Sequence, residues 1–151
     1  MTKGYLYSYS TANWQHRLYL EQSLDYSPQQ RRVTVNKMAG VTSRRALVVD
    51  DEAIIGDFCS RVLSVDGFEV DIASNGSIAP NMLQQKDYDL CLFDMRTPVM
   101  DGRELYQIIV SKYPRLANKV VFASGDVLDT HTQRLLQLTG RPYLAKPFNP
   151  R

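Results

Sequence analysis

From Ala46 onward, short apolar runs rich in Val, Ile, Leu and Phe take turns with segments whose apolar residues recur at helical spacing. No other feature limits the fold as much. Continuous apolar strands are stable only where both faces of a sheet are covered, and a covering helix between successive strands makes the sheet parallel. The fold class is therefore α/β. Strands are expected at 46–50, 68–73, 88–94, 119–124 and 143–145. Over 52–65, the residues Ile54, Ile55, Phe58, Cys59, Val62 and Leu63 form one helical stripe, and Leu105, Ile108 and Ile109 do the same after Gly102. Two further helices are expected at 77–85, with Pro80 tolerated in its first turn, and at 128–138, closed by Gly140.

Five strands with four helices leave the sheet one helix short, since only Pro147 to Arg151 follow Lys146. Right-handed crossovers then put the first helix alone on its face, and apolar surface on the last strand is expected to lack cover. Residues 1–45 form an N-terminal extension to a domain over 46–151. Within the extension, 13–24 carries Trp14, Leu18, Leu20 and Leu24 in a poorly periodic helical pattern. Either this segment or a second copy of the chain, as a homodimer, would fill the gap; a disordered extension, or a chain that is part of a longer protein, is an equal alternative. Tyr5, Tyr7 and Tyr9 alternate in a Ser-rich stretch that fits an added edge strand or disorder equally.

Charge divides at the same point. Residues 1–45 hold seven Lys/Arg against two Asp/Glu, and the rest holds eleven against fourteen. The basic excess lies in the extension, where Arg31, Arg32, Lys37, Arg44 and Arg45 read as a solvated linker without a helix-turn-helix pattern, so nucleic acid is not an expected partner. The two cysteines, Cys59 and Cys91, sit in apolar stretches and have no metal-ligand spacing, which suits reduced core thiols. Neither a signal peptide pattern nor an apolar run of about 18 residues occurs, so the expected location is the cytoplasm, away from the membrane.

The chemistry gathers at strand ends. The first strand runs into Asp50, Asp51 and Glu52, and the third ends at Asp94. In an open α/β sheet of order 2-1-3-4-5, the carboxyl ends of the first and third strands flank the ligand crevice. Clustered carboxylates repel one another unless a cation sits among them, and an all-oxygen set suits Mg2+. The fourth strand ends in Ala123-Ser124-Gly125 and the fifth in Ala145-Lys146-Pro147-Phe148, adding a hydroxyl and an ammonium. Taken together, VVDDE, FDMRTPVMDG, ASGD and AKPF resemble, in order and spacing, the receiver domains of response regulators over roughly 46–148.

That resemblance implies a flavodoxin-like doubly wound sheet and a phosphorelay function. Asp94 would accept a phosphoryl group from a histidine kinase, a phosphotransfer protein or an acyl phosphate. Asp51 and Asp94 would hold Mg2+ directly, with the Arg96 backbone carbonyl, and Asp50 would act through a water. Lys146 and Ser124 would contact the phosphoryl oxygens, and the Lys146-Pro147 peptide would be cis. Ser124 and Tyr143 would form a switch toward an unidentified downstream protein, and Arg96 and Asp126, as an ion pair, would tune loss of the phosphoryl group. Thr97 departs from the family's usual Met, a change in loop packing that touches no ligand. His16 and His131 read as surface residues rather than phosphodonors. Two rivals are a phosphohydrolase of the haloacid dehalogenase type, disfavoured because the first strand lacks D-x-D, and an interaction module that has lost phosphorylation. A stand-alone regulator, a diverged regulator with a special N-terminus and a receiver fragment of a hybrid histidine kinase all fit the sequence, and Leu138 to Pro142 somewhat resembles receivers attached to hybrid kinases.

Overall fold

A computed structural model describes residues 43–126 and 128–148. The expectations for the helix at 13–24, the tyrosines near the N-terminus and His16 lie outside the described residues. The elements run β1 (Arg44–Val49), α1 (Ala53–Val65), β2 (Phe68–Ala73), α2 (Ala79–Gln85), β3 (Leu90–Asp94), α3 (Gly102–Lys112), a one-turn α4 (Pro114–Ala117), β4 (Val120–Ser124), α5 (Thr130–Thr139) and β5 (Tyr143–Ala145). All five strands are parallel, in the order β2-β1-β3-β4-β5. This is the flavodoxin-like doubly wound sheet.

Because side chains alternate across a strand, the sheet divides the apolar residues into two cores. Leu47, Val49, Cys91, Phe93, Val120 and Phe122 face α2, α3, α4 and α5. There Tyr106 meets Phe122 edge to face at 5.3 Å. Ala46, Val48, Leu92, Val121, Ala123 and Leu144 face α1, which contributes Cys59, Val62 and Leu63. Cys59 and Cys91 are thus free, buried and on opposite sides of the sheet, and burial pushes the Cys59 thiol up to about 12.

Among the described residues no helix follows β5. The surface expected to be bare there is nonetheless closed: Leu144 is 2% and Phe148 4% exposed, and the Phe148 ring stacks on Phe58 at 6.2 Å. The aromatic residue immediately after Pro147 turns onto the α1 face and occupies that space. Four smaller differences from expectation have local causes. Ile54 is 75% exposed, because the buried line of α1 runs through Gly56, Cys59, Val62 and Leu63 and leaves Ile54 on the opposite side. Helix α2 starts at Ala79, two residues late, since the Asn75 side chain engages the Ser77 N–H and hydroxyl in a turn. Helix α5 starts at Thr130, where Asp129 supplies the cap, leaving Leu128 exposed. The turn α4, begun by Pro114, was not anticipated.

Candidate functional site

Strand register assembles the site. Val49 pairs with Phe93, so Asp50 comes level with Asp94; Ser124 pairs with Ala145, so Lys146 is the next residue out. Asp50 is held in place by donating its own N–H to the Ala73 carbonyl and by accepting the Glu52 N–H at 2.9 Å. On the far side of β3, the loop from Met95 to Asp101 returns over the strand end. Gly102 begins α3 so close to Asp94 that a Cβ there would strike the Asp94 carbonyl oxygen. Only glycine lets α3 start at that point.

Lys146 is the hub. Its Nζ lies 2.6 Å from Asp50 Oδ2, 2.8 Å from Asp94 Oδ2 and 3.2 Å from Glu52 Oε1. The peptide between Lys146 and Pro147 is cis. Carboxylate oxygens of Asp50, Asp51 and Asp94 all fall within 4.8 Å of one another, the first and third buried and Asp51 exposed. Two unit charges that close repel by roughly 3 kcal/mol at an effective dielectric of about 20. Four carboxylates, counting Glu52, share this cluster with one ammonium. Burial holds the Asp50 carboxyl above the usual carboxylate range despite the hydrogen bond from Lys146. For Lys146 burial acts downward, but the hydrogen bonds to Asp50 and Asp94 outweigh it and hold the ammonium above its ordinary value. The lysine is thus charged throughout the neutral range, and the cluster still carries surplus negative charge. An oxygen-only donor set with one member open to solvent fits a small hard dication that keeps part of its hydration.

A family model described as response regulator receiver domain matches residues 46–151. The chain belongs to that family. This receiver domain is 30% identical over 104 residues to the transcriptional regulatory protein CusR of Escherichia coli (strain K12), a match covering 69% of this chain and 45% of CusR. The chain spans about half the length of the curated relatives it matches. Among solved structures it is similar to a CheY-like response regulator receiver domain protein from Methanospirillum hungatei JF-1, with TM-score 0.63 and 27% identity, covering 70% of this chain and 83% of that one. It is also similar to the response regulator protein TrrA from Thermotoga maritima in complex with Mg(2+)-BeF, with TM-score 0.60 and 29% identity, covering 70% and 88%. Receiver domains are signalling domains of two-component systems rather than enzymes in the ordinary sense. Among the described residues no helix is long and apolar enough to cross a membrane.

The remaining expected residues surround the cluster. Arg96 donates its N–H to Asp94 Oδ1 at 3.1 Å, and its guanidinium meets Asp126 Oδ2 at 3.1 Å across the mouth of the site, both side chains well exposed. Ser124 is buried, and its hydroxyl oxygen accepts the Asp126 N–H at 3.2 Å. Tyr143 stands apart on β5, 46% exposed. Thr97 is buried and donates its hydroxyl to the Met100 carbonyl, which fixes the loop over Asp94. Two contributors went unrecognised in the sequence. Glu52 was visible as the third acid after β1 but had no assigned partner, and the contact of Gly102 with Asp94 depends on how closely two elements approach.

Proposed function

We propose that this receiver domain takes a phosphoryl group on Asp94 in a Mg2+-dependent reaction and uses it to bias a protein-binding surface. The observation that carries the reading is the register-built convergence of Asp50 and Asp94 on Lys146 at one end of the sheet, with Asp51 beside the two acids. In the transfer, an Asp94 carboxylate oxygen forms a bond to phosphorus while the bond from phosphorus to the donor's imidazole nitrogen or acyl oxygen breaks. The donor leaves with that electron pair. A histidine kinase or histidine phosphotransfer protein is the macromolecular donor that fits, and an acyl phosphate the small one.

Asp51 and Asp94, with the Arg96 backbone carbonyl and with Asp50 through a water, would hold Mg2+, which when bound would supply charge neutralisation at the acceptor. The chain's own residues do the rest. Lys146, already within 2.8 Å of the acceptor carboxylate, offers its ammonium to a phosphoryl oxygen, and Ser124 turns its hydroxyl toward another. Arg96 and Asp126, paired over the mouth, restrict water reaching the acyl phosphate, a modest effect because both are exposed.

Intact mass after incubation with acetyl phosphate and Mg2+ tests the reading. One phosphoryl group should be gained by the wild type and by Arg96→Ala, which should lose it somewhat faster, and none by Asp94→Asn or by the wild type with the metal chelated. A folded wild type that gains no mass would refute the proposal in favour of a phosphorylation-silent interaction module.

A further inference from the structure

The ammonium of Lys146 has three N–H donors, and three carboxylates take them. Those of Asp50 and Asp94 are almost fully buried, with side chains 3% and 8% exposed, and lie at 2.6 and 2.8 Å. That of Glu52 is 57% exposed and lies at 3.2 Å. Glu52 occupies the position before α1, yet its side chain makes no capping hydrogen bond, so the helix start does not account for its orientation. The partners are therefore unequal. Losing a buried acid would strand its charge, whereas Glu52 can turn into water at little cost. A phosphoryl oxygen arriving at Asp94 needs one of the three N–H groups, and the Glu52 contact is the one that yields.

Building on the phosphoacceptor reading above, we propose that Glu52 is a positioning residue that occupies the third N–H of Lys146 in the unphosphorylated domain and sets how readily an anionic phosphodonor enters. It acts in two ways, both on the free state. Its contact must be exchanged before the lysine can engage the phosphoryl group, and its charge repels a dianionic donor at the mouth of the site. Once the phosphoryl group is bound, the lysine has left Glu52 and the contact no longer contributes. An interaction present before transfer and absent after it slows transfer without equally affecting the product.

The test compares Glu52→Gln and Glu52→Ala with the wild type, each at saturating Mg2+, following gain of phosphoryl from acetyl phosphate and its loss by intact mass. In the transfer an Asp94 oxygen bonds to phosphorus and acetate departs with the bridging oxygen and its electron pair. Gain should accelerate about two- to fivefold in both variants at low ionic strength, the range expected for a part-exposed ion pair, and the difference should shrink as salt screens it. Loss should change by less than about twofold. Unchanged or slower gain in a variant whose urea midpoint matches the wild type would overturn the assignment, as would a difference indifferent to salt or a loss rate that rises in step with gain. A wild type that never gains a phosphoryl group would overturn the underlying function itself, which keeps the two failures apart.

Discussion

Val99 shows what the loop over Asp94 demands of a single residue. It is the one non-glycine among the described residues with positive φ, at 71°, and the Met100 N–H donates to the Pro98 carbonyl at 2.8 Å across it. The result is a positive-φ γ-turn, a strained conformation, made worse by a β-branched side chain. Burial does not compensate, because Val99 is 84% exposed. The turn is instead held from outside: the Thr97 hydroxyl and the Gly76 N–H both donate to the Met100 carbonyl, at 2.7 and 3.0 Å. Asparagine tolerates positive φ far better, so Val99→Asn should stabilise the domain by about 0.5–1 kcal/mol. Urea titration reads this directly as a higher midpoint, and a lower one would show that no strain is stored there. Asp94 thus sits beneath a loop whose conformation is imposed by its neighbours.

At the scale of elements, α3 is the best-defined start in the fold. Asp101 accepts the N–H groups of Arg103 and Glu104, each at 2.9 Å, and Glu104 returns the favour by accepting the Asp101 N–H at 3.0 Å. Burial would raise the Asp101 carboxyl, but the Glu104 N–H and the Arg103 guanidinium outweigh it and hold the group below its ordinary 3.8. A depressed carboxyl contributes stability that is present above the unfolded value and lost as pH falls through the folded one. Asp101→Ala should therefore destabilise the domain by about 1 kcal/mol at neutral pH, and the gap should close as pH drops below the ordinary aspartate range. Denaturant midpoints across pH measure it, and a constant gap would assign the effect to something other than the charge. The sequence carries this capping box as Asp101 followed three residues later by Glu104, just ahead of the apolar stripe. The strands and long helices were legible because their periods are strong. Ile54 was misplaced because it lies about 200° around the helix from Gly56, and a glycine carries no hydrophobic weight with which to mark the buried face. The one-turn α4 is too short to have a period at all.

Over the whole molecule, what the sequence could reveal of the site was its strand-end acids, hydroxyl and lysine, since a parallel sheet brings consecutive strand ends to one edge. Their pairing was not legible, because it depends on register and on distances between elements. Signal output also belongs to this scale. Tyr143 lies half in solvent on β5, two residues before Ala145 and three before Lys146, while Ser124 pairs with Ala145 across the sheet. We propose that phosphorylation draws Ser124 inward and Tyr143 after it, with coupling of about 1–3 kcal/mol. Hydrogen exchange over 130–145 should slow when the wild type is phosphorylated and much less in Tyr143→Ala; equal slowing in both would remove Tyr143 from the switch. The reach of Lys146 has a further consequence, for biosynthesis. Its partners Asp94 and Glu52 lie 52 and 94 positions earlier in the chain. A ribosome delivers the acids first and their counter-charge last, so a partly synthesised chain holds a cluster of mutually repelling carboxylates at the rim of an unfinished sheet. Bringing Lys146 back to acids so far up the chain carries the entropic cost of closing a long loop. On the proposed function, a nascent domain should not receive a phosphoryl group until β5 has joined, which would tie competence for signalling to the docking of that strand.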